Sequence, residues 1–473
     1  MVNPSKVLKN APINKNYLFN IKTASNSVPS SIKNLIYSIK EDRSVSTHEN
    51  VKVFTSSLDL VFPVTGTSSP TETFPKKVLP SRAKEKILLK TIAFPINPSD
   101  KNQIDGVYGS YSAKIQTSKK HPFFSIAGNE GLYQVQAFLN QDNEVIPNYQ
   151  HPVYKVGDVV VPKIGNTGTW SDYKVLPLHG KGSIQKKTYW KVESGVDLSP
   201  NGSRGFGILE AATAAVNGST ALAFAELFQK NVYEKLRKDG VKGGENKTDF
   251  FCFANAGNSQ VSKLFSQIVH SDFSYKNYKP FIGDHLKTIS ILRERETPEK
   301  TEAFIEKIQK ETKTDKIITE SENQNRESSK KFKEDFKGQD VNFNMAINSV
   351  GGSSVSGIEK KLSNDAKVYT YGAMSLKGVA ASTTAFIFKN ISYLGFWITK
   401  IFKENESLKP SYFGSLAKLY DSKQIALNAE DYQVIEWKVK SDSDEVILKK
   451  IQEGIQLKGK KPIVYVNHEE WFI

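Results

Sequence analysis

Between Asp249 and Thr370, short apolar runs alternate with stretches in which apolar residues recur every three or four positions. Phe250 to Ala254 is a continuous apolar run, the pattern of a buried parallel strand. A turn of small residues follows at Ala256-Gly257-Asn258. Val261, Leu264, Phe265, Ile268 and Val269 then fall on one face of a helix. Thr288 to Leu292 predicts a second strand, Lys316 to Thr319 a third, Phe343 to Asn348 a fourth and Ala366 to Thr370 a fifth. Thr297-Pro298-Glu299 reads as a helix start, with an N-cap, a proline at the first helical position and an acid in the first turn. Phe304, Ile305 and Ile308 give that helix a buried stripe. Strands alternating with helices in this way describe an α/β fold with a doubly wound parallel sheet, whose ligands bind at the carboxyl ends of the strands. Asn255, Gly257, Arg293, Tyr371 and Met374 fall at those ends.

The texture differs elsewhere. Residues 50 to 175 carry short β-rich runs such as KILLKTIAF, GLYQVQAF and KVGDVVVPK, punctuated by Gly and Pro. They predict a mostly β domain ahead of the nucleotide-type domain. Gln141 to Tyr154 and Val232 to Lys247 read as excursions. The tail after about residue 400 is mixed, and its last strand candidate, Ile463 to Val466, is placed to rejoin the first domain. The resulting division is 1–40 as a basic extension, 41–204 as the β-rich domain, 205–400 as the nucleotide domain, and 401–473 as a return to the first. Within the β-rich part, INPSDKNQIDGVYG stands out. Pro98 pushes Asn97 toward extended geometry, and Ser99 is a candidate N-cap for a short turn through Gln103 and Ile104. Gly106 and Gly109 let the backbone bend on both sides of Tyr108. Taken alone, that tyrosine reads as a surface ring.

Composition narrows the chemistry. The 473 residues carry 65 basic and 50 acidic side chains, a formal charge of +15, which favours anionic partners. Cys252 is the single cysteine, so neither an intrachain disulfide nor a cysteine zinc site is available. The seven histidines are scattered without metal-ligand spacing, which argues against metal catalysis. The most apolar segment, Val379 to Phe388, stops well short of the ~20 residues of a membrane span. Residues 1–40 contain six lysines and no acid. That composition fits a mitochondrial presequence lacking arginine and fits a plain basic extension equally well.

The strand–turn–helix from Asp249 has the layout in which a helix N-terminus faces a dinucleotide pyrophosphate. With Gly257 as its lone glycine, it also fits an ordinary βα turn. Arg293-Glu294-Arg295, after the second strand, favours a cofactor with a 2′-phosphate, because arginine binds phosphate through a planar fork. Strand alternation would point Glu294 the opposite way. A solvated surface triplet is the other reading.

The order of motifs resembles the medium-chain dehydrogenase/reductase superfamily, and within it the fungal mitochondrial 2-enoyl thioester reductases. The resembling segments include INPSDKNQIDGVYG, AGNEGLYQV, ATAAVNGSTALAF, NAGNSQVSKL, TISILRER, VYTYGAMS and FKNISYLGFWITK, in family order from about residue 90 to 400, with a weaker match at LKGKKPIVY. The resemblance implies a Rossmann-type domain with a GroES-like substrate domain, free of zinc. It also implies NADPH-dependent reduction of an enoyl thioester carried on coenzyme A or an acidic acyl carrier protein, in the mitochondrial matrix, by a homodimer paired through the edge of the nucleotide-domain sheet. Hydride would go to the β-carbon, leaving negative charge on the thioester oxygen and an α-carbon that needs a proton. Tyr108 matches the catalytic tyrosine, a donor suited to either task. Asn217 matches an asparagine near the nicotinamide and that tyrosine. Asn258, Ser259, Gln260 and Val261 match the pyrophosphate turn, and Arg293 and Arg295 the 2′-phosphate clamp. Tyr371, Gly372, Ala373 and Met374, with Phe396, Trp397 and Ile398, match the walls of the nicotinamide and acyl pocket, although core packing is the plainer reading of Phe396 and Trp397. Lys461 matches a lysine that reaches the cofactor.

Three departures accompany the match. Gly218 replaces a usual proline after Asn217, Gln260 and Asn258 replace smaller residues in the glycine turn, and Val269 to His285 is longer than usual. Two further readings differ in function. One is a zinc-free quinone reductase, against which the Tyr108 loop argues. The other is a catalytically lapsed nucleotide- or nucleic-acid-binding paralogue, which lacks the aromatic–basic interleaving of a nucleic-acid platform.

Overall fold

The computed structural model describes residues 28–38, 50–59, 77–78, 83–107, 114–115, 124–179 except 164 and 166, 189–198 except 194, 205–273 and 278–468. The chain forms two compact units. One comprises the chain up to Ala215 with Phe402–Lys418 and Asn428–Ile473; the other comprises Val216–Ile401 with Leu419–Leu427.

The first unit is built on a seven-stranded mixed sheet. Its central strand, Lys86–Pro95, is buried along its whole length and pairs antiparallel with Leu132–Leu139 and Tyr173–Pro177. The C-terminal strand Lys461–Asn467 pairs antiparallel with Lys86–Pro95 and parallel with Tyr432–Lys438. Phe94, Trp170 and Trp437 meet in one core cluster, with the Phe94 and Trp170 rings stacked at 5.8 Å. A three-stranded sheet of Ile32–Tyr37, Val51–Ser56 and Ser125–Ile126 adds Leu35, Tyr37 and Val51 to this core.

The second unit is a six-stranded parallel sheet. Its spatial order is Lys316–Thr319, Leu286–Leu292, Asp249–Ala254, Val341–Asn348, Lys367–Thr370 and Ser392–Gly395. Asp249–Ala254 sits centrally, as its unbroken apolar run requires. The sixth strand, Ser392–Gly395, is an exposed edge that apolar patterning did not single out. Phe251, Phe253, Ile289, Ile291 and Phe343 fill one face with Val355 and Ile358.

Two local features differ from the sequence reading: Ile32–Tyr37, assigned by composition to the basic extension, is a strand of the first unit, and the excursion expected from Val232 is partly helical. Val232 to Lys247 was expected as an excursion, yet its first part continues the helix Ser219–Lys238, anchored by buried Val232 and Leu236 at i and i+4. The continuous helical run Ile208–Lys238 spans 31 residues and is the one described helix long and apolar enough to cross a membrane. Yet 78% of its most apolar window is buried inside the protein, as in a core helix. The run is interrupted by a π-turn at Ala214–Gly218.

Candidate active site

In the first unit the site begins at the Asn97-Pro98-Ser99-Asp100 turn. The helix Pro98–Ile104 is capped at Asn97 rather than at Ser99. Pro98 takes the first helical position, where its missing N–H costs nothing, and the Asp100 carboxylate reaches back to accept the Asn97 N–H at 2.7 Å. The Asn97 side chain donates to Glu130 at 2.8 Å and accepts from the Lys461 ammonium, which also donates to the Ile96 carbonyl at 3.4 Å. Asn129 donates to Asp100 at 2.6 Å and to Gln103 at 2.8 Å. Asn97, Asp100, Gln103 and Glu130 are all buried. Burial pushes the Asp100 carboxyl up to about 6, against the pull of the Asn97 and Asn129 donors and of Lys461. Burial likewise lowers Lys461 to about 8, opposed by Glu130 and Asp100. Past the helix, Gly106 adopts φ 70 and the Val107 N–H returns to the Asn102 carbonyl at 2.9 Å. Tyr108 lies outside the described residues.

In the second unit the site is the carboxyl edge of the parallel sheet. Ser259 caps the helix Gln260–Val269 by accepting from the Ser262 N–H. Gly257 is required by packing, since a Cβ there would lie 2.7 Å from the Ser290 Cβ on the neighbouring strand. Asn258, Ser259 and Gln260 are partly exposed on the turn, whereas Val261 is buried and serves the core. Asn217, in the π-turn, donates its amide to Gln260 Oε1 at 2.6 Å. Asn255 ties the strand ends together. It donates to Asn348 at 2.7 Å and to Ser354 at 3.1 Å, and accepts the Ser349 N–H at 2.8 Å.

Arg293-Glu294-Arg295 lies beyond the end of its strand at Leu292, so strand alternation does not apply to it. Glu294 is turned aside by another cause: its carboxylate accepts both the backbone N–H, at 2.9 Å, and the hydroxyl of Ser321. Burial alone would raise Glu294; these donors overcome it and hold the group down at about 2. Arg295 stacks its guanidinium 3.7 Å from the Phe304 ring centroid. Arg293 is exposed.

Tyr371 follows the strand Lys367–Thr370, and its N–H bonds the Asn348 carbonyl at 2.9 Å. Its ring packs on Phe224, and its hydroxyl faces those of Ser349, Ser262 and Ser259. Burial raises the phenol, and the facing hydroxyls pull it back. Gly372 passes close over Ser349, and the Met374 N–H bonds the Ser349 carbonyl at 2.8 Å. Ala373 and Met374 are exposed. Phe396 is buried with its ring 4.3 Å from Phe224, Ile398 is buried, and Trp397 is partly exposed.

The structure thus brings Asn217, Ser259, Gln260 and Tyr371 together, and holds Lys461 on the Asn97 turn. Sequence reasoning missed Ser349, Asn129 and Glu130. An acid between Asn129 and Gly131, ahead of an apolar strand, was the available signal for Glu130. At the sheet edge Gln260 Nε2 is buried without a hydrogen-bond partner, and Ser349 Oγ and Tyr371 OH, though facing each other, are buried without closing a hydrogen bond. Donors and hydroxyls left open beside a helix N-terminus fit the phosphate and ribose oxygens of a dinucleotide. Among the described residues, no group of three or more His, Cys, Asp or Glu is arranged to hold a metal.

A parallel nucleotide-type sheet with a mixed β unit in one chain is the architecture of the medium-chain dehydrogenase/reductases, and solved structures of that class share it. The chain belongs to the mitochondrial enoyl-acyl-carrier-protein reductase family. It is 34% identical over 389 residues to the reductase of that name from Kluyveromyces lactis, covering 82% of this chain and 87% of the relative. To the one from Saccharomyces cerevisiae it is 29% identical over 460 residues, 97% and 100% of the two chains. A Kluyveromyces marxianus relative, 33% identical over 81% of this chain and 87% of its own, is named an NADPH quinone oxidoreductase. A solved complex of Etr1p with NADP and crotonyl-CoA matches with a TM-score of 0.64 at 25% identity, over 92% of this chain and 99% of that one. An Etr1p/Etr2p 2-enoyl thioester reductase heterodimer from Candida tropicalis matches with the same figures. No protein-family model matches the chain.

Proposed function

We propose that the protein reduces trans-2-enoyl thioesters to saturated acyl thioesters in the mitochondrial matrix, using NADPH. The observation that supports this best is the joint presence of a buried Asn97–Asp100 turn leading into Tyr108 and a sheet edge with unfilled polar groups, in a chain of this family. NADPH, when bound, supplies the hydride for the β-carbon. Ser259, Gln260, Ser349 and Tyr371 offer donors and hydroxyls to the dinucleotide. Arg293 and Arg295 meet the 2′-phosphate, while Ser321 keeps the Glu294 carboxylate from opposing it. Asn217 orients the nicotinamide end, with Gly372, Ala373, Met374, Phe396, Trp397 and Ile398 as walls. Tyr108 donates to the thioester oxygen or protonates the α-carbon.

The charge of +15 suits coenzyme A phosphates and an acidic acyl carrier protein. Pairing into a homodimer is supported by the edge strand Ser392–Gly395 and the exposed Phe386, Ile387 and Phe388, 51%, 65% and 74% accessible, on the preceding helix. Sedimentation showing a monomer at micromolar concentration would remove that part.

The test is NADPH oxidation with crotonyl-CoA, alongside NADH and Tyr108→Phe. Turnover specific to NADPH should fall in the variant by a factor on the order of a hundred. Near-normal turnover by Tyr108→Phe would remove the tyrosine from its role. The quinone reductase name of one relative motivates a parallel assay; faster reduction of a quinone than of crotonyl-CoA would favour that second reading.

A further inference from the structure

We infer that Gln260 is a positioning residue for Asn217, and that the two departures at Gly218 and Gln260 act as one device. The inference rests on the reading of the sheet edge as the NADPH site.

Asn217 occupies a π-turn, where the helical ladder is widened and each backbone bond is held less tightly than in an α-helix. Gly218 follows it and adds no side chain to restrict the turn. The aim of the Asn217 amide is therefore weakly set by its own backbone. Its one described side-chain bond is the 2.6 Å contact to Gln260 Oε1.

Gln260 is well placed to hold it. It is the first residue of a helix whose cap is made by Ser259 and whose next turn buries Val261 and Leu264. Its backbone is therefore anchored in the core, and its side chain reaches outward as a short arm. A small residue at 260 would leave the Asn217 amide without that partner. The far end of the same arm, Gln260 Nε2, is buried and unpartnered. The oxygen is committed to Asn217 while the nitrogen is free for the cofactor, so one side chain would link cofactor occupancy to the orientation of Asn217.

A double-mutant cycle tests this. NADPH affinity, read from nicotinamide fluorescence, and turnover of crotonyl-CoA are measured for the wild type, Gln260→Leu, Asn217→Ala and the double variant, with Gln260→Glu as the conservative control. Gln260→Leu should lower kcat about tenfold, as loss of one good hydrogen bond implies, with the KM for crotonyl-CoA within about twofold of wild type. Gln260→Glu keeps an oxygen facing the Asn217 amide and should recover most of the kcat loss at saturating NADPH, while its charge and the lost amide donor weaken NADPH binding. The double variant should lose no more kcat at saturating NADPH than Asn217→Ala alone, whereas NADPH affinity falls further because the Gln260 amide nitrogen meets the cofactor independently of Asn217. Gln260→Ala serves the same comparison if leucine is not accommodated.

Multiplicative losses of kcat in the double variant, or a Gln260→Leu protein with wild-type kcat, would overturn the inference while leaving the reductase reading intact. A wild-type protein that neither binds NADPH nor turns over crotonyl-CoA would overturn that reading and this inference with it.

Discussion

The Asn97 turn and the edge of the parallel sheet are both rich in buried polar side chains, but they are finished to different degrees. In the turn, the Asn129 side chain donates to those of Asp100 and Gln103, the Asn97 N–H donates to Asp100, and the Asn97 side chain joins Glu130 to Lys461. At the sheet edge, Gln260, Ser349 and Tyr371 each keep a buried polar atom that closes no hydrogen bond. Burying an unpaired polar atom costs about 1–3 kcal/mol. On the proposed reading, the saturated cluster serves rigidity and the open atoms at the sheet edge are held for the dinucleotide. The difference separates a support from a receptor.

The contrast can be attacked where it is strongest. Lys461→Met removes the cation from the turn and leaves Glu130 and Asp100 buried with less compensation. It should destabilise the first unit by about 3 kcal/mol or more, measured by denaturant unfolding. A variant as stable as wild type would show that the network is not a support. Next in size is ligand addition. NADPH at about a hundred times its Kd should add about 2.7 kcal/mol to unfolding. Hydrogen exchange should slow at Ser259 to Ser262, Ser349 and Tyr371, and stay unchanged in Pro98–Ile104. Equal protection in both regions would erase the contrast.

The smallest effect is a slope in pH. Burial pushes the Asp100 carboxyl up to about 6 in the folded protein, above its ordinary value of 3.8. The native state therefore holds this proton more tightly than the unfolded chain, and stability contributed by this group falls as pH rises from about 4 through about 6. Asp100→Asn should make the decline in melting temperature across the window shallower; Asp172, which burial pushes up to about 7, contributes the remainder. Persistence of the same slope would assign it to another group.

The two regions were also unequally legible in the sequence. The sheet announced itself because apolar runs and helical periodicity are local signals: Lys316–Thr319 was delimited to the residue, and Thr297 caps its helix as read. Where local signals conflict, tertiary contacts decided. Ser99 was a good cap by residue type, but Asp100 reaching back to Asn97 with Pro98 between them won the position. Val232 and Leu236 look like part of a polar excursion until the core against which they pack is known. Glu294 was expected to be turned away by strand alternation, yet the strand had already ended and Ser321 holds it. The Lys461–Asn97–Glu130 network was invisible because a charged residue does not name its partner, and these partners come from three distant segments. The link from Asn217 to Gln260 was hidden for the same reason, although both residues had been singled out separately.

One pairing also bears on how the molecule comes into being. The strand Lys461–Asn467 lies between Tyr432–Lys438 and Lys86–Pro95 in the mixed sheet, and Lys461 reaches the Ile96 carbonyl across 365 positions of chain. Synthesis is vectorial, so this sheet lacks an interior strand until Asn467 has been made, whereas the parallel sheet is complete in sequence by Gly395. The order of maturation is thereby imposed by topology: the receptor has all its strands first, and the support closes only when the last one arrives. Because Lys461 comes from that late strand, the Asn97 turn stays unassembled while the parallel sheet already has all its strands, throughout translation and any passage in extended form.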